Sequence, residues 1–125
     1  MNTKSISLNF VDIFSGAGGL SCGLELAGHK CLLGVDHNKN AIETFAKNHK
    51  HAEVFCGDIH GLSSAKLKQL LNGKKVDAVV GGPPCQGFST VGPGDPKDMR
   101  NQLFRQFVRV VRELNPSFIV IENFN

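Results

Sequence analysis

Five short apolar runs alternate with four stretches of helical periodicity, and no other feature constrains the fold so tightly. The runs are "SLNFVDIF" (7–14), "KCLLGVD" (30–36), "AEVFCGD" (52–58), "VDAVVGG" (76–82) and "SFIVIEN" (117–123). They are β-branched or aromatic, and several end in glycine, so they read as strands. They are nearly continuous in apolar character rather than alternating. That is the pattern of parallel strands covered on both faces. The intervening segments supply the covers. "GGLSCGLELAG" (18–28) stops at Gly28, and "NKNAIETFAKNH" (38–49) starts at Asn38, a natural N-cap, with Ala41, Ile42 and Phe45 on one face. "SSAKLKQLLNG" (63–73) runs from a Ser63 cap through Leu67, Leu70 and Leu71. "DMRNQLFRQFVRVVRELNP" carries Leu103, Phe107, Val110, Val111 and Leu114 as its apolar stripe, with Arg105, Arg109 and Arg112 facing away, and Asp98 as a cap. The expected fold is α/β, a Rossmann-like, mostly parallel sheet of about five strands with helices on both faces.

At 125 residues the chain is long enough for one domain with a working core. Its net charge of +3 is compatible with a nucleic-acid partner but does not by itself demand one. No apolar run reaches membrane-spanning length and the N-terminus lacks the order of a signal peptide, so no membrane partner and a cytoplasmic location are expected. Four cysteines, Cys22, Cys31, Cys56 and Cys85, are spaced by 9, 25 and 29 residues. No zinc-ligand spacing fits, and no metal site is expected. In a reducing compartment Cys22, Cys31 and Cys56 read as small apolar core residues.

In a doubly wound parallel sheet, ligands bind outside the carboxyl ends of the strands, where the strand order reverses. The residues just after each strand are therefore the informative ones. "FSGAGG" follows the first strand and opens a helix, and Gly16, Gly18 and Gly19 allow a tight turn with close ligand approach. A plain structural turn would use the same glycines. The sixth position from Gly16 is Ser21, so the dinucleotide fingerprint fails. Asp36 lies twenty residues beyond Gly16, where an acid accepts hydrogen bonds from ribose hydroxyls or caps the next helix. Asp58, at the end of the third strand, is in reach of an adenine edge. A glycine turn and two acids favour a nucleoside-bearing ligand, and S-adenosylmethionine is the leading candidate.

The fourth strand runs into "GGPPCQGFST". Each proline fixes its own φ and restricts the residue before it, so Cys85 is held stiffly. The sixteen residues from Gly81 to Pro96 include nine glycines or prolines, and a loop this long in a compact domain reads as functional or mobile. Glu122 ends the fifth strand. Should strands four and five be neighbours, a thiol and a carboxylate share one crevice. A nucleophilic thiolate needs such a partner to manage charge.

"DIFSGAGGL", "GDI", "GGPPCQGFS", "RNQLFRQFVRVV" and "IEN" stand in the order found in cytosine C5 DNA methyltransferases, which this chain resembles along essentially its whole length. The resemblance implies S-adenosylmethionine as cofactor and DNA with a flipped-out cytosine as partner. It implies that Cys85 is the nucleophile on C6 and that Glu122 is the acid contacting N3. It assigns Phe14 to stacking on adenine and Gly16, Gly18 and Gly19 to the methionine end. Asp36, His37, Asp58, Ile59, Pro84 and Leu103 complete the cofactor pocket by the same match, and residues Ser89 to Asp98 correspond to the family's mobile loop.

The chain departs from the family in three places. Asp36-His37 stands where many members have glutamate and a large aromatic. Phe124 stands where valine is common. The family's later strands, arginine-bearing motif, target-recognition domain and last helix are not expected within residues 1–125. Residues 1–125 are therefore expected to be the N-terminal, cofactor-binding and catalytic-cysteine part of a methyltransferase domain. Activity is expected to need a C-terminal half or partner chain, and self-association is expected of the open sheet. Related alternatives are a tRNA cytosine methyltransferase and an inactive cofactor-binding or docking module. A redox thiol is disfavoured because no resolving cysteine lies near Cys85 in sequence.

Overall fold

A computed structural model describes residues 6–84 and 99–122. The strands β1 (Asn9–Ile13), β2 (Lys30–Asp36), β3 (Glu53–Cys56), β4 (Ala78–Gly81) and β5 (Phe118–Ile121) form one sheet in the order β3-β2-β1-β4-β5. Every pairing is parallel. The helices are α1 (Gly19–Leu26), α2 (Lys39–Asn48), α3 (Ser64–Leu71) and α4 (Met99–Leu114). The α/β reading of the sequence is borne out. No helix among the described residues is long and apolar enough to cross a membrane.

Side-chain alternation along β1 sorts the core into two layers. Val11 and Ile13 pack with Leu67 and Leu71 of α3 and with Phe107 and Val110 of α4. Phe10 packs on the other side with Cys31, Phe45 of α2 and Val80, beneath Leu20 and Leu24 of α1. Local chemistry sets the helix ends. The Asn38 side chain accepts a hydrogen bond from Ala41 N (3.0 Å), and Ser63 Oγ accepts one from Lys66 N (3.1 Å). These satisfy amides that the first helical turn leaves without partners. Asn72 takes the left-handed conformation that closes α3.

β2 spans Lys30–Asp36 as read, while the other four strands are shorter than the sequence suggests, because a parallel strand extends only as far as a neighbour runs beside it. The third ends at Cys56, so Asp58 is not a strand end. It instead starts a 3-10 turn at Ile59–Gly61. On α4 the apolar stripe is as read, but Arg109 does not face away. Its guanidinium reaches back to donate to the Ile59 carbonyl at 3.0 Å and pairs with Glu113 at 3.2 Å. Of the three cysteines read as core, only Cys31 is buried. Cys22 is half-buried, and Cys56 is exposed because β3 is the edge strand of the sheet formed by the described residues. Asp98 and most of the Gly-Pro-rich loop lie outside the described residues.

Candidate active site

The sheet order reverses between β1 and β4. The chain steps outward from β1 through β2 to β3, then returns to the other side of β1 for β4 and β5. At this point the helices leaving neighbouring strands diverge and a crevice opens above the strand ends. The glycine turn after β1 enters it. Ser15 N donates to Val35 O (2.9 Å) and Gly16 N to Asp36 Oδ2 (2.9 Å), fixing the start of the turn to the end of β2. Phe14, Gly16 and Gly18 all have positive φ, at 58°, 55° and 95°. Glycine adopts this region freely, but an aromatic residue is strained there by roughly 1–3 kcal/mol. The strain coincides with a position where the Phe14 ring lines the cavity.

That cavity has a volume of about 330 Å³ and is lined by Phe14, Val35, Asp36, His37, Gly57, Asp58, Ile59 and Leu103. Six of the ten residues assigned to the cofactor from the sequence are among them. Val35, Phe14, Ile59 and Leu103 give an apolar slot between strand end, 3-10 turn and α4. Asp36 closes one end. Its Oδ1 accepts from Asn38 N (2.8 Å) and its Oδ2 from Gly16 N (2.9 Å), and only 12% of the side chain is exposed. A carboxylate oxygen accepts more than one hydrogen bond, so both oxygens keep capacity for sugar hydroxyls. His37 stands at the rim, largely in solvent, with Nδ1 3.6 Å from Asp36 Oδ1.

Asp58 is the polar wall at the opposite lip. Its Oδ1 accepts from His60 N (2.8 Å) and lies 2.7 Å from His60 Nδ1. The backbone bond from His60, then the side-chain bond, hold this exposed carboxyl below the usual carboxylate range. Asp58 therefore stays an acceptor toward an amino group at the lip. The Arg109–Ile59 bond described above braces the neighbouring apolar wall, a contact that sequence spacing did not indicate.

The three glycines of the turn do different things. Gly16 and Gly19 have nothing within 4 Å of where a Cβ would stand, so a ligand can approach their backbone. Gly18 points into the protein. A Cβ there would meet Phe45 Cδ2 at 2.6 Å and His49 Nε2 at 2.9 Å. Its lack of a side chain serves packing against α2.

On the other side of the switch point, β4 and β5 are neighbours, with Gly81 in register with Ile121. Glu122 N donates to Gly81 O (2.8 Å), and a Cβ on Gly82 would stand 3.9 Å from Glu122 Cβ. The start of the Pro-Pro segment thus lies beside the half-buried Glu122. Pro84 is partly buried and does not line the cavity; Cys85 lies outside the described residues. The sequence reading overlooked Asp12. It is 1% exposed on central β1, where Ser21 Oγ donates to it at 2.5 Å. Burial pushes its carboxyl up to about 7, and the carboxylates of Glu122 and Asp36 add to the effect. An acid between Val11 and Ile13 in an otherwise apolar run was the available signal. Burial likewise pushes the Cys31 thiol up to about 12, which makes it inert.

An all-parallel sheet with a glycine turn, a carboxylate and an apolar slot at its switch point defines the class of Rossmann-like nucleotide-binding folds. Within that class the chain belongs to the C-5 cytosine-specific DNA methylase family, whose model matches residues 8–125. It is 44% identical over 121 residues to the Type II methyltransferase M1.HphI of Haemophilus parahaemolyticus, covering 94% of this chain and 32% of that protein. M.DdeI of Desulfomicrobium norvegicum is 41% identical, with 93% and 28% covered. A structure described as a DNA modification methyltransferase encoded within an E. coli prophage superposes with a TM-score of 0.80 at 40% identity, covering 94% of this chain and 32% of that one. The S. pombe Dnmt2 methyltransferase gives 0.68 at 26% identity, with 96% and 35% covered. The chain thus spans about a third of the length of these relatives. The cofactor is S-adenosylmethionine. The residues present fit it: an apolar slot for adenine, a carboxylate for ribose, and open backbone at Gly16 and Gly19 for the amino-acid end.

Proposed function

We propose that this chain forms the cofactor-binding and nucleophile-bearing part of an enzyme that methylates C5 of cytosine in DNA, as part of a restriction-modification system like those of its Type II relatives. The observation that most supports this is the pairing of β4 with β5. It sets Gly82, which follows the strand adjoining β1 across the switch point and stands three residues before Cys85, beside Glu122.

In this reading Phe14, Val35, Ile59 and Leu103 hold the adenine ring, and Asp36 and Asp58 accept hydrogen bonds from ribose and the adenine amino group. S-adenosylmethionine, when bound, supplies an electrophilic methyl group. The Cys85 thiolate adds to C6 of a cytosine flipped from the duplex. Glu122 donates a proton toward N3, so negative charge does not accumulate on the ring while C5 becomes electron-rich. Once C5 has taken the methyl group, its proton passes to solvent water, the N3 proton returns to Glu122, and departure of the Cys85 thiolate restores the aromatic ring. Pro83 and Pro84 limit the conformations open to Cys85, and such positioning counts heavily in rate. The longer relatives and the exposed apolar strand β5 support a further part of the proposal. Turnover requires additional protein that covers β5 and grips the DNA backbone, on the same polypeptide or on a partner.

DNA carrying 5-fluorocytosine tests the mechanism, because fluorine does not leave as a proton does. Residues 1–125 alone are expected to give no methyl transfer. Joined to the C-terminal part of a relative such as M1.HphI, they are expected to transfer methyl groups and to form a covalent adduct with the fluorinated DNA. Cys85→Ser abolishes the adduct, since a hydroxyl is a far weaker nucleophile than a thiolate. Glu122→Gln slows trapping by roughly 10²–10⁴-fold, the scale of a lost general acid. A trapped adduct mapping to Cys22 or Cys56 would overturn the assignment.

A further inference from the structure

His49 is a histidine in the wrong place for a surface residue. It caps the C-terminus of α2, yet it is 1% exposed. Its ring lies against Phe45, with centroids 4.4 Å apart. Nδ1 is bonded to Glu25 Oε1, and Nε2 lies 3.5 Å from Cys22 Sγ. The second oxygen of Glu25 is 2.6 Å from His51 Nε2, so one carboxylate of α1 joins two imidazoles at the end of α2. An apolar side chain of similar volume would fill the site without the cost of burying a polar pair. The pair fixes an orientation that an apolar residue would leave loose.

The surface thus oriented is the floor of the glycine turn. The start of the turn is tied to β2 through Ser15 N and Gly16 N. Among the described residues, the hydrogen bonds of Gly18 run within the turn and α1: its N–H donates to Ser15 O (3.1 Å), and its carbonyl accepts from Cys22 N (2.8 Å). What sets the height of Gly18 above the sheet is contact with the Phe45 and His49 rings, which occupy the space a side chain would need. Glu25 lies two turns further along the same helix and holds that floor to α1.

We infer that His49, clamped by Glu25, is a positioning residue that holds the Gly16–Gly19 turn in the shape that receives the amino-acid end of S-adenosylmethionine. The inference rests on the cofactor site proposed above. It predicts that the turn loosens when the clamp is broken, even though neither residue lines the cavity.

The test uses two variants of residues 1–125 and two readouts. His49→Phe keeps a ring under Gly18 but removes the bond to Glu25. Glu25→Gln, on a side chain that is 20% exposed, weakens the pair with little change of volume and covers the case in which the first variant fails to fold. Amide exchange without ligand is expected to accelerate about tenfold or more at Gly16–Gly19 in both variants, with β1 and β2 amides unchanged. Titration calorimetry is expected to show S-adenosylmethionine bound about tenfold more weakly by His49→Phe and a few-fold more weakly by Glu25→Gln. A general loss of stability would speed exchange throughout the sheet instead. Turn protection and affinity equal to wild type in Glu25→Gln, or acceleration spread evenly over β1 and β2, would overturn the inference. Failure of the wild-type chain to bind S-adenosylmethionine would count against the cofactor site, while the exchange pattern would still decide the clamp.

Discussion

β2 and β5 are both short apolar strands, and they meet opposite fates. In β2, Cys31 to Val35 are all buried, with β1 and β3 on either side and helices on both faces. In β5, Phe118, Ile119, Val120 and Ile121 are 54%, 51%, 42% and 46% exposed, at the edge of the sheet. Four consecutive exposed apolar residues mean that neither face of β5 is fully covered. Strands β1 and β2 beneath the cofactor cavity are therefore closed over by the chain itself, whereas the part leading to Glu122 presents the kind of surface that another layer of protein covers.

The largest expected effect lies within the closed part. Asp12 has an ordinary carboxyl value of 3.8 when unfolded and about 7 when folded. Below about pH 4 it is protonated in both states. Between these values the unfolded chain binds fewer protons than the folded one, so the stability tied to this group falls as pH rises, by about 4 kcal/mol in all. Asp12→Asn keeps an acceptor for Ser21 and has no charge to bury. It is expected to remove this slope and to be more stable than wild type at pH 8. Urea unfolding of both proteins from pH 4.5 to 8 checks it, and parallel curves would mean that Asp12 ionises freely in the fold.

A smaller effect compares the two strands directly. Leu33→Ala, at a fully buried position of β2, is expected to cost about 3 kcal/mol, and Ile119→Ala on β5 less than 1 kcal/mol. Equal losses by thermal or urea unfolding would mean that β5 is covered in solution. The smallest effect concerns association. Residues 1–125 are expected to self-associate with rising concentration in sedimentation. Ile119→Lys, a charge on the edge strand, is expected to weaken this. A wild-type chain that stays monomeric at high concentration would remove the contrast between β2 and β5.

Much of this was legible in the sequence because it is local. Capping by Asn38 and Ser63 depends on residues three apart, and the strand runs declare themselves by composition. Six of the cavity residues were legible because each stands at or just after a strand run or, like Leu103, belongs to a recognisable motif, whereas Val35, inside β2, and Gly57 carried no such signal. What was not legible depends on distant partners. "EVFC" reads like a buried strand, and only its place at the edge exposes Cys56. Helical spacing turns Arg109 outward, yet its long side chain reaches an Ile59 carbonyl fifty residues away in sequence. Glu25 and His49 are separated by a strand and a helix, and neither carries a local signal for the other. Gly18 looked like a ligand-facing glycine until its missing side chain was seen to face inward.

The strand order has a consequence in time. β1 is made early, but its second neighbour, β4, begins only at Ala78. At roughly 5–20 residues per second of synthesis, Ala78 follows Ile13 out of the ribosome by an interval on the order of several seconds. Late in that interval, after Cys56 has emerged, a nascent sheet of β1, β2 and β3 has what will become its centre as its rim. The backbone of Phe10 to Ile13, later paired with β4, is then an open edge able to pair with a strand of another chain. The central strand of the finished protein is thus the most vulnerable one while the protein is being born.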